Sequence, residues 1–371
     1  MRVLLAGGGT AGHTSPLLAT ADALRRLDPS TQVTALGTPK GLETRVVPEA
    51  GYPLELVPPV PLPRSLSADL VRVPGRVRRA VSETLAVIDR VRPDVVVGFG
   101  GYVSVPAYLA ARRRRLPLVV HEGNALPGIA NKLGARLTEH VATSFPDTVL
   151  RGATFTGLPI RRMISTLDRA ALRAEAAAHF GLDPARTTLL VTGGSQGARR
   201  LNQTVPGVRA ELAAAGVQVL HVTGAQGGVD ADAMAAADPG GPAYVVRDYV
   251  DRMDLAYAAA DAVVCRSGSN TVTEVAAVGL PAVFVPLPHG NGEQALNAAG
   301  VVDAGGALLV ADGEFGPTWA VQHLVPLLAD PERLTRMGAA ATDLIPRDAD
   351  ERLAAMVREA VTAAGAAGTG R

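Results

Sequence analysis

The densest run of chemistry-bearing side chains lies between Ala262 and Ala298, AVVCRSGSNTVTEVAAVGLPAVFVPLPHGNGEQALNA. Arg266-Ser267-Gly268 interrupts an apolar run at Ala262–Cys265. From Ser269 onward, Val272, Val275, Ala276 and Val278 recur at helical spacing. Gly279 suits the position just past such a helix, and Pro281 stops its continuation. A helix starting at Ser269 leaves N–H groups unpaired near Gly268, Ser269 and Asn270. Those donors and the partial positive charge of the helix end suit a diphosphate. Glu274 lies about one turn further in, where a carboxylate can take two hydroxyls of a ribose at roughly 1.5–3 kcal/mol per charge-assisted bond. The pattern fits a nucleoside diphosphate, although a lone glutamate there can equally serve the helix dipole alone. The next polar run holds His289, Asn291, Glu293, Gln294 and Asn297. It follows a strand exit through Pro286 and Pro288, and is expected to face whatever the diphosphate carries.

A second cluster opens the chain. The apolar run Val3–Ala6 leads into Gly7-Gly8-Gly9-Thr10-Ala11-Gly12-His13. Gly7, Gly9 and Gly12 satisfy the G-x-G-x-x-G dinucleotide fingerprint, which also wants an acid at the end of the second strand. The second strand, Gln32–Leu36, runs into Gly37-Thr38-Pro39 with no acid, so a nicotinamide or flavin cofactor is demoted and none is expected. The glycines instead let backbone approach a ligand, with His13 beside it and Pro16 as the expected first residue of a helix. Later strand exits carry Gly98-Phe99-Gly100-Gly101-Tyr102, His121-Glu122-Gly123-Asn124 and Thr192-Gly193-Gly194-Ser195-Gln196-Gly197.

The elements that must position these residues follow one rhythm. Short apolar strands end in glycine or a polar cluster, and helices come next, which is the doubly wound α/β pattern. At 371 residues the chain suits two such domains. Residues 1–160 form one and residues 161–346 the second, with a helix at about 347–371 placed against the first. The two are expected to face each other across a cleft. Charge divides between the halves: residues 1–156 hold 19 Lys and Arg against 12 Asp and Glu, a net of +7, and the rest hold 17 against 23, a net of −6. One cysteine, Cys265, excludes an internal disulfide and most cysteine-based metal sites. Met1-Arg2 runs straight into a strand, unlike a signal peptide. The uncharged run Val95–Ala111 is too broken by glycine and proline to span a bilayer. A soluble cytoplasmic chain that can still dock on a membrane is expected.

The motifs also carry a resemblance. GGGTAGH at Gly7–His13, GFGGYVSVP at Gly98–Pro106, HEGN at His121–Asn124, GLPIR at Gly157–Arg161, GGSQGARRLN at Gly193–Asn202, CRSGSNTVTE at Cys265–Glu274 and PHGNGEQALNA at Pro288–Ala298 occur in this order. Over essentially the whole chain the sequence resembles the MurG family of UDP-N-acetylglucosamine transferases, which convert lipid I to lipid II in peptidoglycan synthesis. The resemblance implies a GT-B fold, a metal-independent inverting transfer, UDP-GlcNAc as donor and an undecaprenyl-linked acceptor. It places Glu274 on the uridine ribose. It puts Ser195 and the backbone at Ser269, Asn270 and Thr271 on the diphosphate with Arg161 nearby, and Gln294 on the sugar hydroxyls. Thr10, Ala11 and Gly12 would touch the donor, Tyr102 would line the acceptor side, and Asn124 would reach both. Glu293-Gln294 stands where the family often has two glutamines, Gly123 where it often has glutamine, and Ser269 where it often has alanine.

Such a transfer needs a base for the acceptor hydroxyl and positive groups for the departing diphosphate. His13 is the leading base and Glu122 the alternative. Asp230–Asp232 and Asp348–Asp350 match the Asp-x-Asp of metal-using transferases, but neither follows a cleft-facing strand, so both read as solvated charges and no metal site is expected. A transferase of a secondary pathway with another acceptor or sugar, and a UDP-GlcNAc 2-epimerase on the same fold, are the alternatives. The apolar and basic segment Leu62–Val81, together with Arg112–Arg115, is expected to dock the N-terminal half peripherally on anionic lipid at the cytoplasmic face of the cell membrane. Cell-wall synthesis proteins are the expected protein partners, and nucleic acid is not expected.

Overall fold

The computed structural model describes residues 1–60, 73–238 and 240–369. The chain divides into two units, Met1–Arg161 with Pro346–Arg371, and Arg162–Ile345.

The first unit carries β1 (Arg2–Ala6), β2 (Gln32–Gly37), β3 (Leu54–Leu56), β4 (Val95–Gly98), β5 (Leu118–Glu122), β6 (His140–Thr143) and β7 (Ala153–Phe155). They form one parallel sheet in the order β3-β2-β1-β4-β5-β6-β7. Its helices are α1 (Ala11–Leu27), α2 (Glu43–Glu49), α3 (Val73–Val91), α4 (Ser104–Arg114) and α5 (Ile129–Gly134). The central strands are unbroken apolar runs because both faces are covered. Val3, Leu5, Val95 and Val97 point into one core, and Leu4, Ala6 and Val96 into the other.

The second unit repeats the plan with β8 (Thr188–Thr192), β9 (Gln218–Val222), β10 (Tyr244–Arg247), β11 (Ala262–Cys265), β12 (Ala282–Phe284) and β13 (Ala307–Leu309), in the order β10-β9-β8-β11-β12-β13. All described pairings are parallel. Its helices are α6 (Arg162–Ser165), α7 (Arg169–Phe180), α8 (Arg199–Thr204), α9 (Arg209–Ala214), α10 (Ala231–Ala236), α11 (Met253–Ala259), α12 (Ser269–Ala277), α13 (Glu293–Asp303), α14 (Pro317–Trp319), α15 (Val325–Leu328) and α16 (Pro331–Thr342). The last helix, α17 (Ala349–Thr369), packs against α1 of the first unit, where Leu353, Ala354, Val357 and Ala360 join its core.

The strand order reverses direction between β1 and β4, and again between β8 and β11. Ligands of open parallel sheets bind outside the carboxyl ends of strands at such switch points. The two glycine-rich turns, after β1 and after β8, therefore sit where the topology leaves a crevice in each unit.

Three expectations need correction. Helix α1 begins at Ala11, with the Thr10 carbonyl accepting from the His13 and Thr14 N–H groups at 3.2 Å each, so Pro16 lies inside it. The proline costs the Gly12 carbonyl its helical partner without ending the helix. Helix α17 runs past Gly365 to Thr369, where the glycine-rich tail reads as frayed. Asp350 is not solvated: it is 5% exposed and paired with Arg26 at 2.9 Å, because the start of α17 lies against the last turn of α1. Asp348 and Asp230 remain local, the first pairing with Arg352 at 2.9 Å and the second capping α10 by accepting from the Ala233 N–H at 3.0 Å. Among the described residues no helix is long and apolar enough to cross a membrane.

Candidate active site

In the first unit the turn after β1 places Thr10, Ala11, Gly12 and His13 together at the switch point. The His13 Nδ1 lies 3.1 Å from the Gly8 carbonyl and 3.3 Å from Thr10 Oγ1. A carbonyl only accepts, so Nδ1 carries the proton and Nε2 keeps its lone pair. Burial pushes the imidazole below its usual range, and the Glu122 and Glu43 carboxylates and the Gly8 carbonyl oppose that shift. The neutral, accepting form therefore prevails near pH 7. Glycines at the β4 exit make room for the ring. A Cβ on Gly100 would stand 3.1 Å from Nε2, and one on Gly101 2.8 Å from the Gly8 oxygen. Both have positive φ, 92° and 80°, which favours glycine independently. Tyr102 follows them and is half exposed.

Glu122, at the end of β5, is 3% exposed. Its Oε1 accepts from the Asn124 N–H at 2.9 Å, and its Oε2 from the Gly128 N–H and Asn131 Nδ2, both at 2.9 Å. Asn131 in turn donates to the His121 carbonyl and accepts from the buried Tyr108 hydroxyl at 2.6 Å. The carboxylate thus braces the loop that carries Asn124. Asn131 and Tyr108 were not singled out in the sequence, since each sits in a helix as one more interior position. His121 is fully buried, and burial pushes its imidazole down to about 4. Arg161 ends the unit, half buried.

In the second unit the turn after β8 presents Ser195 to solvent. Its turn is held mainly by backbone: Gly197 N–H donates to the Gly194 carbonyl at 2.9 Å and Ala225 N–H to the Ser195 carbonyl at 3.1 Å, while Gly194 N–H donates to Thr192 Oγ1 at 3.2 Å. A Cβ on Gly197 would strike the Thr223 carbonyl, and one on Gly224 the Gly197 nitrogen, so the turns after β8 and β9 interlock through glycine. Behind them, buried His221 donates from Nε2 to Asn202 Oδ1 at 3.1 Å, and its Nδ1 accepts from the Tyr244 hydroxyl at 2.8 Å. Asn202 donates to the Thr223 and Gly227 carbonyls at 3.0 and 2.8 Å.

Helix α12 starts after Gly268 without a side-chain cap, so its first turn, Ser269, Asn270 and Thr271, carries no capping side chain on its N–H groups. Ser267 beside it is fully buried, with its hydroxyl unpartnered. Glu274 is 8% exposed and accepts from the Tyr257 hydroxyl at 2.9 Å. On α11, Tyr257 reads from sequence only as core, yet its hydroxyl holds the Glu274 carboxylate. After β12, the Gln294 carbonyl oxygen accepts from the Leu287 N–H at 2.9 Å, which turns its amide donors outward. Asn297 departs from expectation: it is 1% exposed and donates to the Ser267 carbonyl at 3.4 Å, so it ties α13 to the loop before α12 and faces no ligand. Arg266 is likewise spent internally, on the Val285 and Pro286 carbonyls and on Asp312 at 2.7 Å. No group of three or more metal-ligating side chains occurs among the described residues.

Comparison with known proteins adds the following. Residues 3–143 match the glycosyltransferase family 28 N-terminal domain, and residues 188–353 the glycosyltransferase family 28 C-terminal domain. A UDP-N-acetylglucosamine–N-acetylmuramyl-(pentapeptide) pyrophosphoryl-undecaprenol N-acetylglucosamine transferase of Nocardioides sp. is 68% identical over 97% of this chain and 98% of its own. The enzyme of that name from Streptomyces avermitilis is 56% identical over 98% of this chain and 99% of its own. The crystal structure of MurG from Acinetobacter baumannii superposes with a TM-score of 0.76 at 29% identity, covering 96% of this chain and 99% of that one.

Proposed function

The chain belongs to glycosyltransferase family 28, and on that premise we infer that it transfers N-acetylglucosamine from UDP-N-acetylglucosamine to lipid I, undecaprenyl-pyrophosphoryl-MurNAc-pentapeptide, giving lipid II. The observation that carries this is 68% identity to a transferase of that name along nearly the full length of both chains. Its GT-B fold of two doubly wound parallel sheets is the one such a two-substrate transfer uses.

For the roles of individual residues we propose the following. His13 Nε2 takes the proton from the attacking hydroxyl of the acceptor sugar as that oxygen bonds to the anomeric carbon. The bond from that carbon to the diphosphate oxygen breaks on the opposite face, which inverts the configuration. Nδ1–H stays on the Gly8 carbonyl throughout. The Glu122 charge steadies the imidazolium that forms, and its own oxygens are occupied by the Asn124 loop. The diphosphate leaves onto the uncapped start of α12, with Ser195 and Arg161 as further donors. Glu274, aimed by Tyr257, takes the ribose hydroxyls, and Gln294 reads the sugar hydroxyls with its outward amide. Thr10, Ala11, Gly12 and Asn124 line the donor sugar, and Tyr102 and Asn124 the acceptor. Incubating the protein with UDP-GlcNAc, a short-chain lipid I analogue and EDTA tests the whole scheme. Mass spectrometry should find the product one N-acetylhexosamine heavier and UDP released only with acceptor present. UDP release without acceptor would favour the epimerase alternative.

Peripheral docking at the cytoplasmic membrane face is a further part of this proposal. Its supports are the acceptor's lipid tail and exposed Arg78, Arg79 and Arg112–Arg115 on the adjoining helices α3 and α4. Residues 62–72 of the expected docking segment lie outside the described residues. Changing Arg76, Arg78 and Arg79 to Glu should abolish salt-sensitive binding to anionic liposomes while sparing turnover of a water-soluble acceptor. Unchanged liposome binding at low salt would defeat it.

A further inference from the structure

Glu43 has no part in the scheme above, yet with Glu122 it is one of two carboxylates, among the described residues, whose charge favours the His13 imidazolium. It lies at the start of α2 and is fully buried. Its Oε2 accepts from the Gly9 N–H at 2.7 Å, and its Oε1 accepts from the Thr38 N–H at 2.8 Å and the Thr38 hydroxyl at 2.9 Å. Three donors from two different strand exits thus converge on one side chain. The backbone around it is carved to fit: a Cβ on Gly8, Gly37 or Gly41 would collide with the Glu43 side chain. A buried charge accepting three bonds needs all of them, because each one lost leaves an ion undercompensated in low dielectric.

The sequence offers no acid at the end of β2, where a dinucleotide-binding fold keeps one for the ribose. The structure brings an acid to that place from six residues downstream of Gly37 and turns it inward. It is sealed and saturated, so it binds backbone instead of ligand.

We propose that Glu43 is a positioning residue for the transfer: it clamps the β1–α1 turn to the β2 exit, and so holds the Gly8 carbonyl where it fixes the tautomer of His13. This rests on the reading of His13 as base. The chain of contact is short, from the Glu43 carboxylate to the Gly9 N–H, through one peptide to the Gly8 carbonyl, and on to Nδ1. The titratable groups around His13 are Glu43 from α2, and Glu122 and His121 from β5. The β4 exit contributes glycine there. Burial opposes the imidazolium and both carboxylates favour it, while His121, pushed down to about 4, is neutral where His13 titrates.

The test uses the full chain with 15N-labelled histidine, read by NMR without turnover and separately by steady-state kinetics. Glu43→Gln keeps the shape, but it removes the charge and one of the two acceptors. It should lower kcat on the order of 100-fold, the cost of a small misplacement of a catalytic group. Donor KM should stay within about 2-fold. The His13 titration should move to lower pH, since the imidazolium loses a favourable charge, and Nδ1 should no longer be uniformly protonated. Glu43→Asp keeps the charge and falls short by one methylene. It should lower kcat by about 10-fold while the His13 titration stays near that of the wild type. If Glu43→Gln fails to fold, Glu43→Asp still decides, since wild-type kcat in that variant overturns the proposal. An unchanged His13 tautomer and titration in folded Glu43→Gln overturns it too. A His13 titration that moves while the acid limb of kcat does not would support the clamp and overturn His13 as the base.

Discussion

After β1, the turn Gly7–Thr10 is tied from behind by a buried carboxylate and delivers a histidine. After β8, the turn Gly193–Ala198 is tied by backbone and one neutral hydroxyl, Thr192 Oγ1, with no buried carboxylate behind it, and offers Ser195 to solvent. Both turns occupy the switch point of a parallel sheet, and the two sheets share one strand order over six strands, the first adding β7 at its edge. Both use positive-φ glycines, Gly9 at 91° and Gly194 at 76°. The difference lies in what stands behind them. A side chain that moves a proton, as proposed for His13, has to be held to a fraction of an ångström, and around His13 the first unit places Glu43, Gly100 and Gly101. Where a flexible diphosphate must be gripped, backbone N–H groups and a hydroxyl suffice, and the second unit leaves them open.

Removing the histidine is the harshest way to break that comparison. His13→Ala should reduce kcat by about 10²–10⁴-fold, the usual worth of a general base, with donor KM little changed. In the wild type, kcat should hold as pH falls through 6.5 and decline only below it, because burial lowers the His13 pKa and the base must be neutral. A full rate in His13→Ala would place the base elsewhere.

Each unit also buries a histidine that the chemistry does not use, His121 in the first and His221 in the second, both pushed to about 4 by burial. Between pH 6.5 and 4 the unfolded chain binds protons that the folded chain refuses. Stability should therefore fall as pH falls across that window and level off below it, by on the order of 3 kcal/mol for each histidine. Urea unfolding at pH 7 and pH 5 reads this, and equal midpoints would refute it.

The donor half is probed by Glu274→Gln, which keeps the shape next to Tyr257 and removes the charge. It should raise donor KM, with a loss of about 2–3 kcal/mol in transition-state binding, or about 100-fold in kcat/KM. An unchanged donor KM would sink the ribose assignment. The mildest test pairs Gly9→Ala with Gly194→Ala. A Cβ at either position meets nothing within 4 Å, so each substitution adds only the left-handed backbone penalty of about 1–2 kcal/mol. Gly9→Ala should appear in kcat and Gly194→Ala in donor KM. The same response from both would erase the distinction between the turns.

Much of this was legible in the chain itself. Unbroken apolar runs such as Val95–Val97 and Ala262–Cys265 mark strands covered on both faces, and glycine at strand exits marks where backbone must come close. His13, Ser195, Glu274 and Gln294 stand out because their chemistry sits at those exits within one contiguous motif each. Sequence therefore determined the two-sheet fold, the family and which strand exits carry the candidate groups, since all of these are local patterns repeated along the chain. What it could not determine is which polar residues turn inward. Glu43, Tyr257, Asn131 and Asp350 become supports, and Asn297 turns inward, only because residues 9 to 324 positions apart are brought into contact. A buried carboxylate is stable only with several donors around it, and those donors come from separate strand exits whose juxtaposition the folded sheet alone creates.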